Sequence, residues 1–195
     1  MDNFKIISNF KEVPLIKNTL YILDIDETTL YYEGMNYKWW EKTMIEMIKI
    51  YDTFEEAEYE THDLWYKVIN NIEPVITDNE GFFKLKNFVE TKTNGCKMIF
   101  LTARPIKYKD ITLKDLKNNI EKFNYPVVFF DSYPDNKGII LQKFLKENKE
   151  TYDKINNKIF IDDLEKNIKN VLEVYPETKC FQFKHPEFYK DSQHF

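Results

Sequence analysis

The sequence predicts an α/β fold, a doubly wound parallel sheet with a small helical unit inserted after its first strand, and three observations carry that prediction. Apolar, β-branched and aromatic runs recur at Thr19 to Asp24, Lys97 to Leu101, Val127 to Phe130, Lys158 to Ile161 and Thr178 to Phe183, and each reads as a strand buried on both faces. Stretches with apolar residues at helical spacing lie between them, and strands alternating with helices imply parallel strands joined by right-handed crossovers. Polar clusters gather where the apolar runs end, whereas solvated loops would scatter them at both ends of the strands.

Taken in order, residues 1–18 are mixed in pattern, carry no motif and suit a lead-in packed on the domain edge. The first strand stops at Asp24 and Asp26. From Tyr31 to about Asn71 the pattern is helical, with Trp40, Met44, Met47, Ile48 and Tyr51 on one apolar face. Thr53, with Glu56 three residues on, spells a capping box for a second helix whose apolar side is Phe54, Ala57, Leu64, Trp65 and Val68. Two helices ahead of any second strand read as a lid. A helix from about Glu80 to Thr93 buries Phe82, Leu85, Phe88 and Val89 and stops at Asn94-Gly95, a strong turn signal. The next, about Thr112 to Phe123, carries Leu113, Leu116, Ile120 and Phe123. The third strand ends at Asp131-Ser132. A turn from Tyr133 to Asn136 then leads to Lys137-Gly138 and a helix with Ile140, Leu141, Phe144 and Leu145. Glu147 to Asn157 reads as a solvated loop. Leu164, Ile168, Val171, Leu172 and Tyr175 form the last helical stripe, and the tail after His185 reads as surface. The implied division is a core domain of residues 1–30 and 72–195 around an insertion of residues 31–71.

At 195 residues, with 43% hydrophobic and 16% aromatic content, the chain can bury a real core in one domain. A formal net charge of -5 gives no general attraction for nucleic acid or anionic membrane, so neither is expected as a partner. Cys96 and Cys180 are too few for a disulfide framework and lack zinc-like spacing, which predicts free thiols in a reducing compartment. Met1 to Phe10 lacks the basic start, apolar centre and cleavage site of a signal peptide, and no apolar run reaches the length of a membrane span. The expectation is a soluble, cytoplasmic protein.

Chemistry concentrates at the strand ends. Residues i and i+2 of an extended chain project to one side, so Asp24 and Asp26 should face one pocket, where their mutual repulsion calls for a cation or a proton. Thr102, after Met98 to Leu101, offers a hydroxyl and free amides, an anion cradle that adds no charge; taken alone it also reads as a turn residue. Arg104 reads either as a contact to a substrate phosphate or as surface. Asp162 and Asp163 close the fourth strand, and Asp163 also reads as a cap for the helix that follows. His62 and the cluster Tyr31, Tyr32, Tyr37, Trp39 and Trp40 read as packing of the insertion rather than as catalyst or pocket lining.

The run Leu20-Tyr21-Ile22-Leu23-Asp24-Ile25-Asp26-Glu27-Thr28 resembles the first motif of the haloacid dehalogenase (HAD) superfamily, D-x-D-x-T after a hydrophobic strand, in its phosphatase-type "DIDET" spelling. Thr102, Lys137 before Gly138, and Asp162-Asp163 resemble the second, third and fourth motifs, in the family's order. The resemblance implies a Rossmann-like sheet of order 3-2-1-4-5, in which Asp24 and Asp26 meet Asp162 and Asp163 at the switch point. It also implies a C1-type cap over residues 31–71. For the site it implies a nucleophilic Asp24, with Asp26 as acid and base. Thr102, the Ala103 amide, Arg104 and Lys137 would hold the phosphoryl group, and Thr28 would position Asp26 or the adjoining turn. Mg²⁺ would lie on Asp24, Asp162 and the Asp26 backbone carbonyl, with Asp163 as ligand or support; which of Asp162 and Asp163 is the direct ligand stays open. Lys158 is a rival for Lys137, but it opens its strand at the wrong end of the sheet. The expected reaction is Mg²⁺-dependent hydrolysis of a small phosphomonoester. A phosphomutase, a polynucleotide-end phosphatase and an inactive binding protein on the same scaffold are the alternatives.

Overall fold

The computed structural model describes residues 4–130 and 136–185, and the elements below lie within that range. In chain order they are β1 (Phe4–Ile7), β2 (Thr19–Leu23), β3 (Leu30–Tyr31), α1 (Tyr37–Ile48), α2 (Phe54–Ile69), β4 (Val75–Ile76), α3 (Asn79–Glu90), β5 (Lys97–Pro105), α4 (Lys109–Asn119), β6 (Val127–Phe130), α5 (Lys137–Glu147), α6 (Lys149–Tyr152), β7 (Asn157–Asp162), α7 (Glu165–Val174) and β8 (Lys179–Phe183). The expected Asp131-Ser132 end, the Tyr133 to Asp135 part of the turn and the tail beyond His185 lie outside the described residues.

Six parallel strands form the main sheet in the order β1-β8-β7-β2-β5-β6. The five expected strands keep their expected neighbours, and the difference is a sixth, β1, formed by the lead-in and paired with β8. The strand centres β2, β5 and β7 are apolar throughout because helices cover both faces. Alternate residues divide between two cores. Tyr21 and Leu23 pack with Phe82, Leu85 and Leu116 from α3 and α4, while Leu20 and Ile22 pack with Leu141, Ile168 and Val171 from α5 and α7. The doubly wound α/β architecture is thus present.

β5 runs four residues beyond its expected end, through Thr102, Ala103, Arg104 and Pro105. Its register against β6 shifts between Leu101 and Pro105, so this polar stretch is a bulged extension of the strand, a device that re-aims side chains. Tyr152 is buried and draws part of the expected loop into the short helix α6. Gly95 ends the turn after α3 with φ 63°, the left-handed region that a side chain would strain.

α1 and α2 follow the first strand as expected, between the two strands of a small antiparallel ladder, β3 and β4. Asn36 caps α1 by accepting from Trp39 N at 3.1 Å, and Thr53 caps α2 by accepting from Glu56 N at 3.2 Å. Met44, Ala57 and Trp65 are buried between them, whereas Ile48 and Phe54, expected on the apolar faces, are exposed at the far end of the pair. Asp63 of α2 ties the unit to the segment after β5, accepting from Tyr108 Oη at 2.6 Å and from Lys107. Among the described residues, no helix is long and apolar enough to cross a membrane.

Candidate metal and phosphoryl-transfer site

The site forms at the carboxyl ends of β2 and β7, neighbours with no strand between them. The ladder continues one step past β2, with Asp24 N donating to Ile161 O at 2.9 Å, and this places the Asp24 side chain beside the end of β7. The chain then doubles back. Thr29 N and Leu30 N both donate to Ile25 O, and Glu27 at the apex takes φ 56°. Thr29, which sequence reasoning passed over, donates its hydroxyl to Asp24 O at 2.6 Å and fixes that turn.

Lys137 opens α5 and is fully buried between two acids. Its Nζ donates to Asp24 Oδ1 and, at 2.7 Å, to Asp162 Oδ2. Asn136 caps the helix by accepting from Gly138 N at 2.8 Å. Gly138 is required here: a Cβ on it would lie 2.0 Å from Asn170 O of α7, so only glycine lets α5 start close enough to bring Lys137 inward. Lys158, the rival cation, opens β7 at the opposite end of the sheet and pairs with Glu177 at 3.2 Å.

The helix brace expected of Asp163 falls to Asp162. Asp162 Oδ1 accepts from Leu164 N at 2.9 Å and from Asn167 Nδ2 at 2.9 Å, so it is Asp162 that braces the start of α7, and Asn167 was not anticipated. Asp163 makes no such cap. Its backbone carbonyl accepts from Gln182 Nε2 at 2.9 Å, and its Oδ1 lies 3.5 Å from the Thr28 hydroxyl. Thr28 thus faces Asp163 rather than Asp26.

One oxygen from each of Asp24, Asp162 and Asp163 lies within 4.8 Å of the other two, and all three residues are buried. Three carboxylate oxygens this close together are a set of hard donors of the kind a small divalent ion takes. The charge balance favours one. Burial pushes the Asp24, Glu27 and Asp163 carboxyls up from their ordinary range. Lys137 pulls Asp24 and Asp163 back down while neighbouring acids push both further up; Asp26 pushes Glu27 up, and its hydrogen bond with Asp163 pulls it down. Burial alone would neutralise Lys137, but Asp162 and Asp24 outweigh it and keep the ammonium charged. One oxygen of Glu27, Oε1, is buried with no partner. Acid exceeds base here, and the donor set is oxygen alone, the chemistry that a divalent cation such as Mg²⁺ selects.

Asp26 stands apart. Its carboxylate, 22% exposed, lies outside the trio and is gripped by Arg104, with Nε to Oδ2 at 3.0 Å and Nη2 to Oδ1 at 2.7 Å. Of the two readings of Arg104, surface is corrected: the guanidinium is wholly buried and donates to Asp26, Thr112 and Tyr32. Nη2 also donates to Tyr32 Oη at 2.7 Å, and Nη1 donates to Thr112 Oγ1 at 3.0 Å. Tyr32 Oη in turn donates to Asp115 Oδ2 at 2.7 Å. Tyr32 was expected only as packing, and Thr112 and Asp115 gave no signal beyond helix positions. Thr102 is buried at the bulge, its Oγ1 accepting from Arg104 N at 3.1 Å. Above these groups, Trp40 and His62 lie with ring centroids 4.1 Å apart, and burial pulls the imidazole down to about 4, so it is neutral at pH 7.

Residues 2–183 match the family model described as "Protein of unknown function (DUF2608)". No curated protein matches the sequence. Among solved structures the chain is similar to a chain of the Pnkp1/Rnl/Hen1 complex, at 16% identity and TM-score 0.50 over 87% of this chain and 46% of that one. It is also similar to a chain of the Pnkp1/Rnl/Hen1 RNA repair complex, at 17% identity and TM-score 0.50 over 87% and 43%. Both likenesses are of fold, and the chain spans less than half the length of either neighbour. A third match, a hydrolase from Streptococcus pneumoniae TIGR4, has 15% identity and TM-score 0.46 over 85% of this chain and 92% of that one.

Proposed function

The chain belongs to the DUF2608 family, and from its site we propose that it is a HAD-type phosphatase, a Mg²⁺-dependent hydrolase of small phosphomonoesters. One observation carries the reading: Asp24, Lys137 and Asp162, far apart in sequence, share one buried ion-pair cluster beside Asp163 at the carboxyl edge of the sheet. Asp24 is the nucleophile. Its oxygen attacks phosphorus to give an aspartyl-phosphate, and water hydrolyses that intermediate, splitting one difficult displacement into two. Asp26 gives a proton to the departing oxygen and then takes one from the attacking water. Lys137 and the Thr102 bulge supply positive charge and donors around the phosphoryl oxygens. Asp24, Asp162 and Asp163 would hold the Mg²⁺, which when bound neutralises charge on the phosphoryl group and orients it. Retention of Asp26 beside the acidic trio favours phosphoryl chemistry over dehalogenation. The pair α1 and α2, set on the β3–β4 ladder, is the cap that screens the site, and residues 1–30 and 72–195 form the core.

The test is release of phosphate from a panel of phosphomonoesters, beginning with an aryl phosphate. Turnover that needs Mg²⁺, stops with EDTA and falls at least about a thousandfold in Asp24→Asn is the expected result. A clean, folded protein inactive across a broad panel with Mg²⁺ present would reject the proposal.

A further inference from the structure

We propose that Arg104 is a positioning residue for the reaction, aiming the Asp26 carboxyl at the leaving oxygen while touching no substrate itself; this role rests on the phosphatase reading above. An Asp side chain rotates about two bonds, and nothing in the turn from Asp24 to Leu30 fixes its plane. The fork of Arg104 does. Two parallel N–H donors, one to each carboxylate oxygen, set both the position and the tilt of the group, which a single point charge cannot do. The fork occupies one lone pair on each oxygen and leaves the others for the proton in transit.

Arg104 is itself held from the side away from Asp26. Thr112 accepts from Nη1 and donates its own hydroxyl to Tyr108 O at 2.8 Å. Tyr32 accepts from Nη2 and donates to Asp115. Asp115 lies 3.9 Å from Nη1, which closes the circuit. Each hydroxyl therefore has a fixed direction of donation. The anchors of this β5 side chain come from two other segments, the stretch after β3 and α4. A guanidinium wholly removed from water is tolerated only when its donors are satisfied, and this one is buried within one side chain of a carboxylate that is partly open to the site. A residue needed for packing alone would not require this arrangement.

The consequence is chemical. As the Asp24 oxygen bonds to phosphorus, the bond from phosphorus to the ester oxygen breaks, and that oxygen takes the proton carried by Asp26. Water then attacks phosphorus, gives its proton to Asp26, and releases phosphate and Asp24. An alkoxide leaves poorly without that first proton, whereas a nitrophenolate leaves as the anion. Loss of aim at Asp26 should therefore damage alkyl esters far more than activated aryl esters.

The experiment compares kcat and KM for an alkyl phosphate and for p-nitrophenyl phosphate in wild type, Arg104→Lys, Tyr32→Phe and Asp26→Asn, all with Mg²⁺. Arg104→Lys should lose about a hundredfold in kcat on the alkyl ester and less than about tenfold on the aryl ester, with KM little changed, because proton transfer by a placed group is worth about that much. Tyr32→Phe, which removes one hydroxyl, should show the same bias on a smaller scale and guards against an Arg104→Lys protein that does not fold. Added to Asp26→Asn, either change should cost little more. Equal losses on both esters, or a loss confined to KM, would overturn the role while leaving the phosphatase reading intact. A wild type inactive on both esters would overturn that reading and this role together.

Discussion

Around Asp26 every acid has its donors: one guanidinium takes both carboxylate oxygens, is braced by Tyr32 and Thr112, and lies 3.9 Å from a second acid, Asp115, to which Tyr32 donates. Around Asp24 the acids outnumber the one cation further. One ammonium is divided between Asp24 and Asp162, with Asp163 and Glu27 adding acid that burial and repulsion push towards the protonated form. The two clusters border the same turn, yet one is complete without further ligands and the other has an excess of negative charge. A structural pair can be saturated by the protein, but a site that recruits a cation must be left short of positive charge.

That contrast can be broken from either side. Removing the cation from each cluster gives the largest effects. Arg104→Met and Lys137→Met should each cost about 3–5 kcal/mol in urea unfolding, since each leaves buried acid unpaired. Mg²⁺ should restore part of the loss in Lys137→Met and none in Arg104→Met. If it restores both equally, the two clusters are not distinct. Next in size is the effect of the ion on the wild-type protein. At a hundredfold excess over its Kd, Mg²⁺ should stabilise the fold by about 2.7 kcal/mol. Asp162→Asn should abolish that gain in thermal melts at fixed ion concentration, and Asp26→Asn should keep it.

The smallest effect lies at the contact between α2 and the segment after β5. Burial alone would raise the Asp63 carboxyl, but the donors Lys107, Lys67 and Tyr108 outweigh it and hold it below the usual carboxylate range. The folded value is the depressed one. Its contribution is therefore complete above the ordinary carboxylate pKa near 4 and fades as the pH falls below that value. Asp63→Asn should cost under about 1 kcal/mol at pH 7. Melts of the two proteins should converge on acidification below about pH 4, with a constant gap counting against this account.

The sheet was legible because strands buried on both faces read as unbroken apolar runs, and the motif residues at their ends fell on one edge once the order was right. β1 was not legible. It is four residues long, with Ile7 buried and Ile6 more than half exposed, a half-wet pattern that edge position explains and composition hides. The bulged end of β5 was read as the end of the strand because Thr102 and Arg104 are polar, and their partners lie in tertiary contacts no local pattern records. Asp162 and Asp163 are identical in type and adjacent. Which one braces α7 depends on which side each faces, and that was decided by Asn167, four and five residues on. Glu27 and Asp115 gave no sign of their roles, since a buried acid and a solvated one are spelled alike.

The edge strand has a practical implication for anyone trimming or tagging the protein near its amino end. β1 occupies the open side of β8, and just beyond it Phe10 meets Phe82 edge-on and packs at a tilt against Phe183. Deleting this segment would bare a row of unsatisfied amides and carbonyls next to exposed aromatic rings, a template for self-association. A shortened protein should therefore fail first by precipitating, with the acidic cluster at the ends of β7 and β2, two and three strands away across the sheet, still correctly assembled.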